Sequence, residues 1–286
     1  MHAEIGRTEL SVSNGLIHWP KLSAVDLGLM RSPGPGLGNL LFPIARALIG
    51  QKIVGGDFLY PTMRQIKVGT FLRRERDSRT YGGVIRARSY CDWLLWARSI
   101  GLAQKNEHAF DGKQSTLVIT YEGLGRYFHD LQGHRAIMSD WLASNVLEDG
   151  AIDCNYDIGV HVRLGDFAPV GTAQTGHSVR LSMEWYKRAL QNAMAILGVT
   201  EPRILLFTDG PPNEVRIALG VSSIRVDPSR NALTAILNLS RARIIVTSRS
   251  TFSMWAAYLG AVPAIWDKEL DLNQSFPVRV GLDTQV

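Results

Sequence analysis

The residues best suited to chemistry fall in three stretches. The first reads Asp157-Ile158-Gly159-Val160-His161-Val162-Arg163-Leu164-Gly165-Asp166. On a strand, alternate side chains share a face. Ile158, Val160 and Val162 can then pack on one side while His161 and Arg163 project from the other. Two cationic-capable donors at a strand's carboxyl end, followed by a Gly-Asp turn, suit phosphate oxygens. Ligands of open α/β sheets bind beyond those ends, and the planar arginine fork makes bidentate phosphate contacts. The alternative is a satisfied histidine and a surface arginine at a sheet edge.

The second stretch follows another apolar strand, Ile244-Ile245-Val246-Thr247, and runs Ser248-Arg249-Ser250-Thr251-Phe252-Ser253 into a helix containing Trp255. Hydroxyls and backbone N–H groups at a helix start make an anion cradle, aided by the helix dipole. Capping of the helix by Ser250 or Thr251 is compatible with that use. Asp209 closes a further apolar strand and either faces the same site or simply forms a turn. The third stretch is Gly36-Leu37-Gly38-Asn39-Leu40-Leu41-Phe42. A Gly-x-Gly turn entering a helix permits close approach to its backbone, but the third glycine of the dinucleotide fingerprint is absent.

The elements that must carry these residues are most legible in the second half. Strands are expected at Tyr156–Arg163, Ile204–Thr208, Ile224–Val226, Ile244–Thr247 and Val262–Trp266. Helices are expected at Leu181–Leu197 (Trp185, Ala189 and Ala193 at helical spacing), Asn213–Leu219, Asn231–Ser240 and Thr251–Leu259. This alternation predicts an α/β fold with a parallel sheet and helices on both faces. In the first half, a helix over Leu40–Ile49, a strand over Thr116–Tyr121 and a helix over His134–Leu147, with Ile137, Trp141 and Leu142 on one side, are expected. Arg73, Arg74, Arg76 and Arg79 form a basic, poorly patterned segment, either solvated or in contact with a substrate or membrane. The pattern breaks near Glu148–Asn155, dividing the chain into residues 1–150 and 151–286.

Composition narrows the classes. A chain of 286 residues, 45% hydrophobic and 20% charged, can bury a real core and is not disordered in the main. A formal net charge of +5 favours an anionic ligand, an acidic membrane surface or nucleic acid. The two cysteines, Cys91 and Cys154, are too few for a disulfide framework and read as small buried hydrophobes. No signal peptide and no run long enough to span a membrane is visible, so a cytoplasmic location is expected. With no DxD-like pair after a strand and no ligand cluster, neither a metal nor a cofactor is expected.

Together the three stretches resemble the α-1,2-fucosyltransferase family, part of the wider group sharing a His-x-Arg-x-Gly-Asp motif. Gly36-Leu37-Gly38-Asn39…Phe42…Ala45 is similar to its N-terminal Gly-Leu-Gly-Asn turn, and His161-Val162-Arg163-Leu164-Gly165-Asp166 to its central motif. Trp185-Tyr186-Lys187-Arg188-Ala189 and Phe207-Thr208-Asp209 stand where it has Tyr-Tyr-x-x-Ala and Phe-Ser-Asp. Ser248-x-Ser250-Thr251-Phe252-Ser253-x-Trp255 is similar to its Asn-Ser-Ser-Phe-Ser-Trp-Trp run. Leu164 replaces a second arginine, Leu40 and Pro43 replace glutamines, and Asn231 replaces an acidic residue. Residues from Gly50 to Gln114 show no match.

The resemblance implies a GT-B arrangement of two Rossmann-like domains facing across a cleft, with donor contacts mainly from the second. It implies inverting transfer of fucose from GDP-fucose to a galactose-terminated glycan in α-1,2 linkage, without a metal. Arg163, His161 and Asp166 would then be catalytic; Gly38, Asn39, Asp209, Ser248, Ser250, Thr251 and Phe252 would bind the donor. Asp166, Asp209 and Glu184 remain alternatives for the general base. Peripheral contact with an anionic membrane fits the charge, and no nucleic-acid partner is expected. A transferase with another donor, a non-catalytic homologue and a basic polyanion-binding protein are the other readings.

Overall fold

The structure, a computed structural model, describes residues 15–65, 81–147, 156–164, 180–221, 223–268 and 270. Asp166, Cys154 and the arginines at 73, 74, 76 and 79 lie outside the described residues. The chain folds as two compact units, the first made of residues 1–34, 43–80 and 87–123, the second of 35–42, 81–86 and 124–286. The units are therefore interleaved in sequence. The Gly-Leu-Gly-Asn turn, read in sequence as part of the N-terminal half, belongs with the second unit.

The first unit holds a four-stranded sheet, in order β2-β1-β4-β3, of β1 (Leu16–Pro20), β2 (Asp57–Phe58), β3 (Gln104–Asn106) and β4 (Leu117–Tyr121). Every pairing is parallel. Alternation along β1 and β4 divides the core. Leu16, Leu117, Ile119 and Tyr121 pack with Ala47 of α1 (Leu37–Val54). Ile17 and Val118 pack on the other face, against Leu95 and Trp96 of α2 (Tyr90–Ile100). Ser89 and Asp92 form a reciprocal capping box at the start of α2, satisfying N–H groups that a helix leaves unpaired. The sequence expected none of β1, β2, β3 or α2: β2 and β3 have two and three residues, α2 is mostly exposed, and β1 carries the buried polar His18 at its centre.

The second unit holds a five-stranded, all-parallel sheet in the order β7-β6-β5-β8-β9. Its strands are β5 (Ile158–Val162), β6 (Ile204–Thr208), β7 (Ile224–Val226), β8 (Ile244–Val246) and β9 (Ala264–Ile265). They alternate with α4 (Met183–Leu197), α5 (Pro212–Leu219), α6 (Ala232–Leu239) and α7 (Thr251–Gly260), while α3 (Arg135–Asn145) precedes them. These match the sequence expectations to within a few residues. Ile158, Val160 and Val162 share a core with Trp185, Tyr186, Ala189, Leu190 and Ala193 of α4 and Val215 and Leu219 of α5. On the opposite face, a Cβ at Gly159 would lie 2.5 Å from Leu239 Cδ1 and 3.2 Å from Ala242. The sheet is thus covered on both sides, as all-parallel sheets must be.

Several expectations need correction. α1 begins at Leu37, not Leu40. The buried face of α3 carries Met138, Leu142 and Asn145, one position on from the Ile137 and Trp141 read from periodicity. Cys91 is exposed on α2. Among the described residues no helix is long and apolar enough to cross a membrane.

Candidate functional site

The site-bearing residues of the second unit gather where its strand order reverses. β5 pairs with β6 on one side and with β8 on the other. β6 and β7 run out one way from β5, and β8 and β9 the other. Such a switch point, at the carboxyl ends of the strands, is where doubly wound sheets open a crevice. His161 is the penultimate residue of β5 and Arg163 follows that strand, Asp209 follows β6, and Ser248 to Thr251 follow β8.

On the β6 side, Arg163 Nη1 lies 3.1 Å from Asp209 Oδ2, and both side chains are about a quarter exposed (23% and 25%). The Leu164 N–H donates to Asp209 Oδ1 at 2.7 Å. One carboxylate therefore holds both the guanidinium and the backbone that follows it. Thr208 Oγ1 accepts from the Gly210 N–H at 3.1 Å, bending the chain away from β6. Both Asp209 oxygens are engaged, which suits it to positioning Arg163 rather than to taking a proton as a general base. Glu184, the third base candidate, is exposed at the start of α4 and paired with Lys187 at 2.8 Å. That bond holds its carboxyl below the usual range.

On the β8 side, His161 corrects the picture of two cationic donors. It is 4% exposed. Its Nδ1 shares a hydrogen bond with Ser248 Oγ at 2.8 Å, and its ring stacks on Phe252 with centroids 4.7 Å apart. Burial is the main cause that pushes its pKa from 6.5 down to about 3; the charge of Arg163 adds to this and Asp209 partly opposes it. A neutral imidazole cannot supply phosphate-binding charge. His161 instead fixes the Ser248 hydroxyl and supports Phe252, leaving Arg163 as the cation of this strand end.

Ser250 is the N-cap of α7, its side chain accepting from the Phe252 N–H at 3.3 Å. Ser253 Oγ donates to the carbonyls of Ser248 and Ser250 at 3.2 and 3.1 Å, tightening the turn into the helix. α7 follows β8 after a four-residue turn, so its N-terminus starts from the carboxyl end of that parallel strand, where a helix start suits an anion. Arg249, not singled out from the sequence, is largely buried and paired with Asp267 beyond β9. Nothing in the sequence joined two residues 18 positions apart.

The Gly-Leu-Gly-Asn turn docks on this helix start. Thr251 Oγ1 donates to Asn39 Oδ1 at 2.8 Å, and Trp255 Nε1 donates to the Gly38 carbonyl at 2.7 Å. A Cβ on Gly38 would sit 2.5 Å from Thr251 Oγ1 and 3.0 Å from the Phe252 nitrogen. Gly38 is small because α7 passes there. Phe42 then packs against Trp255 and Phe128, with centroids 5.0 and 4.9 Å away.

Other motif positions are structural. Trp185, Tyr186 and Ala189 are core residues. Asn231 caps α6 through the Leu233 N–H and donates to the carbonyls of Val84 and Leu147 at 3.0 and 2.9 Å. Among the described residues no group of three or more His, Cys, Asp and Glu could hold a metal ion.

No family model matches the chain, and no curated protein sequence does. Among solved structures it is similar to the fucosyltransferase NodZ from Bradyrhizobium, at 14% identity and a TM-score of 0.48, over 92% of this chain and 96% of that one. It is similar to the apo form of POFUT1 at 11% identity and a TM-score of 0.42, over 90% and 98%. It is also similar to an Arabidopsis thaliana FUT1 mutant in complex with GDP, at 13% identity and a TM-score of 0.45, over 87% and 69%.

Proposed function

We propose that this protein is an inverting glycosyltransferase that moves fucose from GDP-fucose to a galactose-terminated glycan, forming an α-1,2 linkage. The observation that carries this reading is the meeting of its motif stretches, distant in sequence, at one strand-order switch. Arg163 and Asp209 stand on one side of β5; Ser248, Ser250 and Thr251 stand on the other, with Gly38 and Asn39 bonded to α7.

The reaction breaks the bond between the anomeric carbon and the diphosphate oxygen as an acceptor hydroxyl attacks from the opposite face. Charge grows on the departing diphosphate, and its stabilisation is the largest demand on the protein. Arg163 answers that demand as the β-phosphate partner, aimed by Asp209. The hydroxyls of Ser250 and Thr251 and the N-terminus of α7 hold the diphosphate from the other side. His161, Ser248 and Phe252 form the wall that keeps this turn in place. Asp166 is retained as the candidate base on the motif alone. No metal takes part in this reading, and the location assigned is cytoplasmic, with peripheral contact at an anionic membrane.

The test is calorimetric titration with GDP, GDP-fucose and UDP, with and without EDTA. Guanine-selective binding that survives EDTA is expected. Folded protein that binds none of them sinks the proposal. A second reading, a donor-binding homologue without turnover, is favoured by Leu164. Its side chain lies against Gly210 and the core, where the family has a second arginine. Guanine-selective binding without fucosyl transfer to any galactoside would select it.

A further inference from the structure

The turn from Ser248 to Thr251 is held from several directions. Ser248 is bonded to His161 of β5, Ser250 caps α7, and Thr251 bonds Asn39 of α1. The remaining residue, Arg249, reaches Asp267, and these two side chains are only 11% and 8% exposed.

Strand register accounts for that pair. β8 gives its N–H groups to the β9 segment at every second residue. The Ile245 N–H donates to the Pro263 carbonyl at 2.9 Å, and the Thr247 N–H to the Ile265 carbonyl at 3.1 Å. Thr247 Oγ1 donates to that same Ile265 carbonyl at 2.8 Å, across 18 positions. Past Thr247 the chain turns, the Ser250 N–H bonding the Ser248 carbonyl at 2.8 Å. Arg249 and Asp267, again 18 positions apart, meet through their side chains instead, with Nε and Nη2 converging on Asp267 Oδ2. The ion pair stands where the next rung of an evenly spaced parallel ladder would fall. Asp267 is itself anchored, its carbonyl accepting from the Leu270 N–H at 3.0 Å.

A buried ion pair returns little net stability, because both charges lose their water; fixing a register is its better-attested use. A separate observation brings this pair to the Arg163 side of the sheet. Tyr186 of α4 is 1% exposed. Burial is the main cause raising its pKa; the Arg163 backbone opposes this, and the charges of Asp209 and Asp267 add to it. The carboxylates of both arginine pairs therefore lie within electrostatic reach of one buried hydroxyl.

We propose that Arg249 and Asp267 are positioning residues for phosphate binding, their pair setting where Ser250, Thr251 and the N-terminus of α7 stand against the diphosphate. Both act through the turn and not on the ligand. This inference rests on the donor-site reading of that turn.

The test is calorimetric titration of GDP and GMP into the wild type, Arg249→Met/Asp267→Leu and Arg249→Lys. The double variant replaces the pair by apolar side chains, a change that buried pairs often tolerate. Arg249→Lys keeps the charge but loses the two-donor fork. Melting temperatures show which variants fold, and Arg249→Lys decides if the double variant does not. Affinity for GDP should fall about tenfold or more in the double variant, the worth of one charge-assisted hydrogen bond, and by a smaller factor in Arg249→Lys. Affinity for GMP should fall less in each, because the second phosphate is what loses its alignment. A folded variant that binds GDP like the wild type, or loses GDP and GMP by the same factor, overturns the proposal and leaves the donor site standing. Wild-type protein that binds neither nucleotide overturns the donor-site reading and this inference with it.

Discussion

At the scale of single residues, the site rests on one cation and one neutral ring. Arg163 is held by Asp209 at 3.1 Å, whereas His161 is buried against Ser248 and Phe252. The two therefore respond differently to substitution. Arg163→Ala should lower kcat by roughly 10²-fold or more, the loss expected on removing a donor that acts on transition-state charge; unchanged kcat in folded protein would exclude the assignment. Asp209→Asn keeps an acceptor for the Leu164 N–H but removes the charge facing Arg163, so activity should fall by less. Steady-state kinetics on both variants orders the two effects.

Among the elements, the start of α7 has two jobs that can be separated. Ser250 caps the helix, and its loss should cost about 1 kcal/mol of stability, read from the unfolding midpoint of Ser250→Ala. The same helix start receives Gly38 and Asn39. Gly38→Ala places a methyl group 2.5 Å from Thr251 Oγ1 and 3.0 Å from the Phe252 nitrogen. Crowding of this kind typically costs about 1–3 kcal/mol, and denaturant titration should show it. Wild-type stability in that variant would mean that α1 and α7 meet less closely. The glycine of the turn is thus explained by helix packing before any ligand is considered.

Across the whole molecule, each sheet carries one buried histidine among the described residues. His161 lies in the second unit. In the first, His18 hydrogen-bonds Tyr121 Oη at 2.8 Å and the Gly55 carbonyl at 2.9 Å. Burial is the main cause lowering the pKa of both from 6.5, that of His161 to about 3. Well above pH 6.5 neither the folded nor the unfolded histidine carries a proton, and the two contribute no pH dependence. Below it the unfolded chain takes up protons that the folded chain refuses. Stability therefore falls as pH drops through 6.5, toward about 3 for His161, by at most ~1.4 kcal/mol per pH unit for each histidine. Melting temperatures should decline from pH 7 to pH 5, and His161→Gln should flatten the decline. A midpoint indifferent to pH over that range would contradict buried neutral rings.

The second unit's strands and helices follow from sequence because β5, β6 and β8 are short apolar runs that are almost wholly buried, each followed by a helix with its own start signal. Val160 and Val162 against Gly159 and His161 were separable by alternation alone. The resemblance of Gly38, Arg163 and the Ser248–Thr251 run to motif positions was equally visible. What required tertiary structure was the partner of each. His161 looked like a donor because periodicity gives a face and not what covers it; Phe252 and Ser248 bury it and remove its charge. Gly38 and Asn39 precede Thr251 by more than two hundred residues, a pairing no local pattern encodes. In the first unit, β2 and β3 have two and three residues, too few for a period to register. Their place in the sheet is decided by backbone pairing with β1 and β4, which only the folded chain supplies.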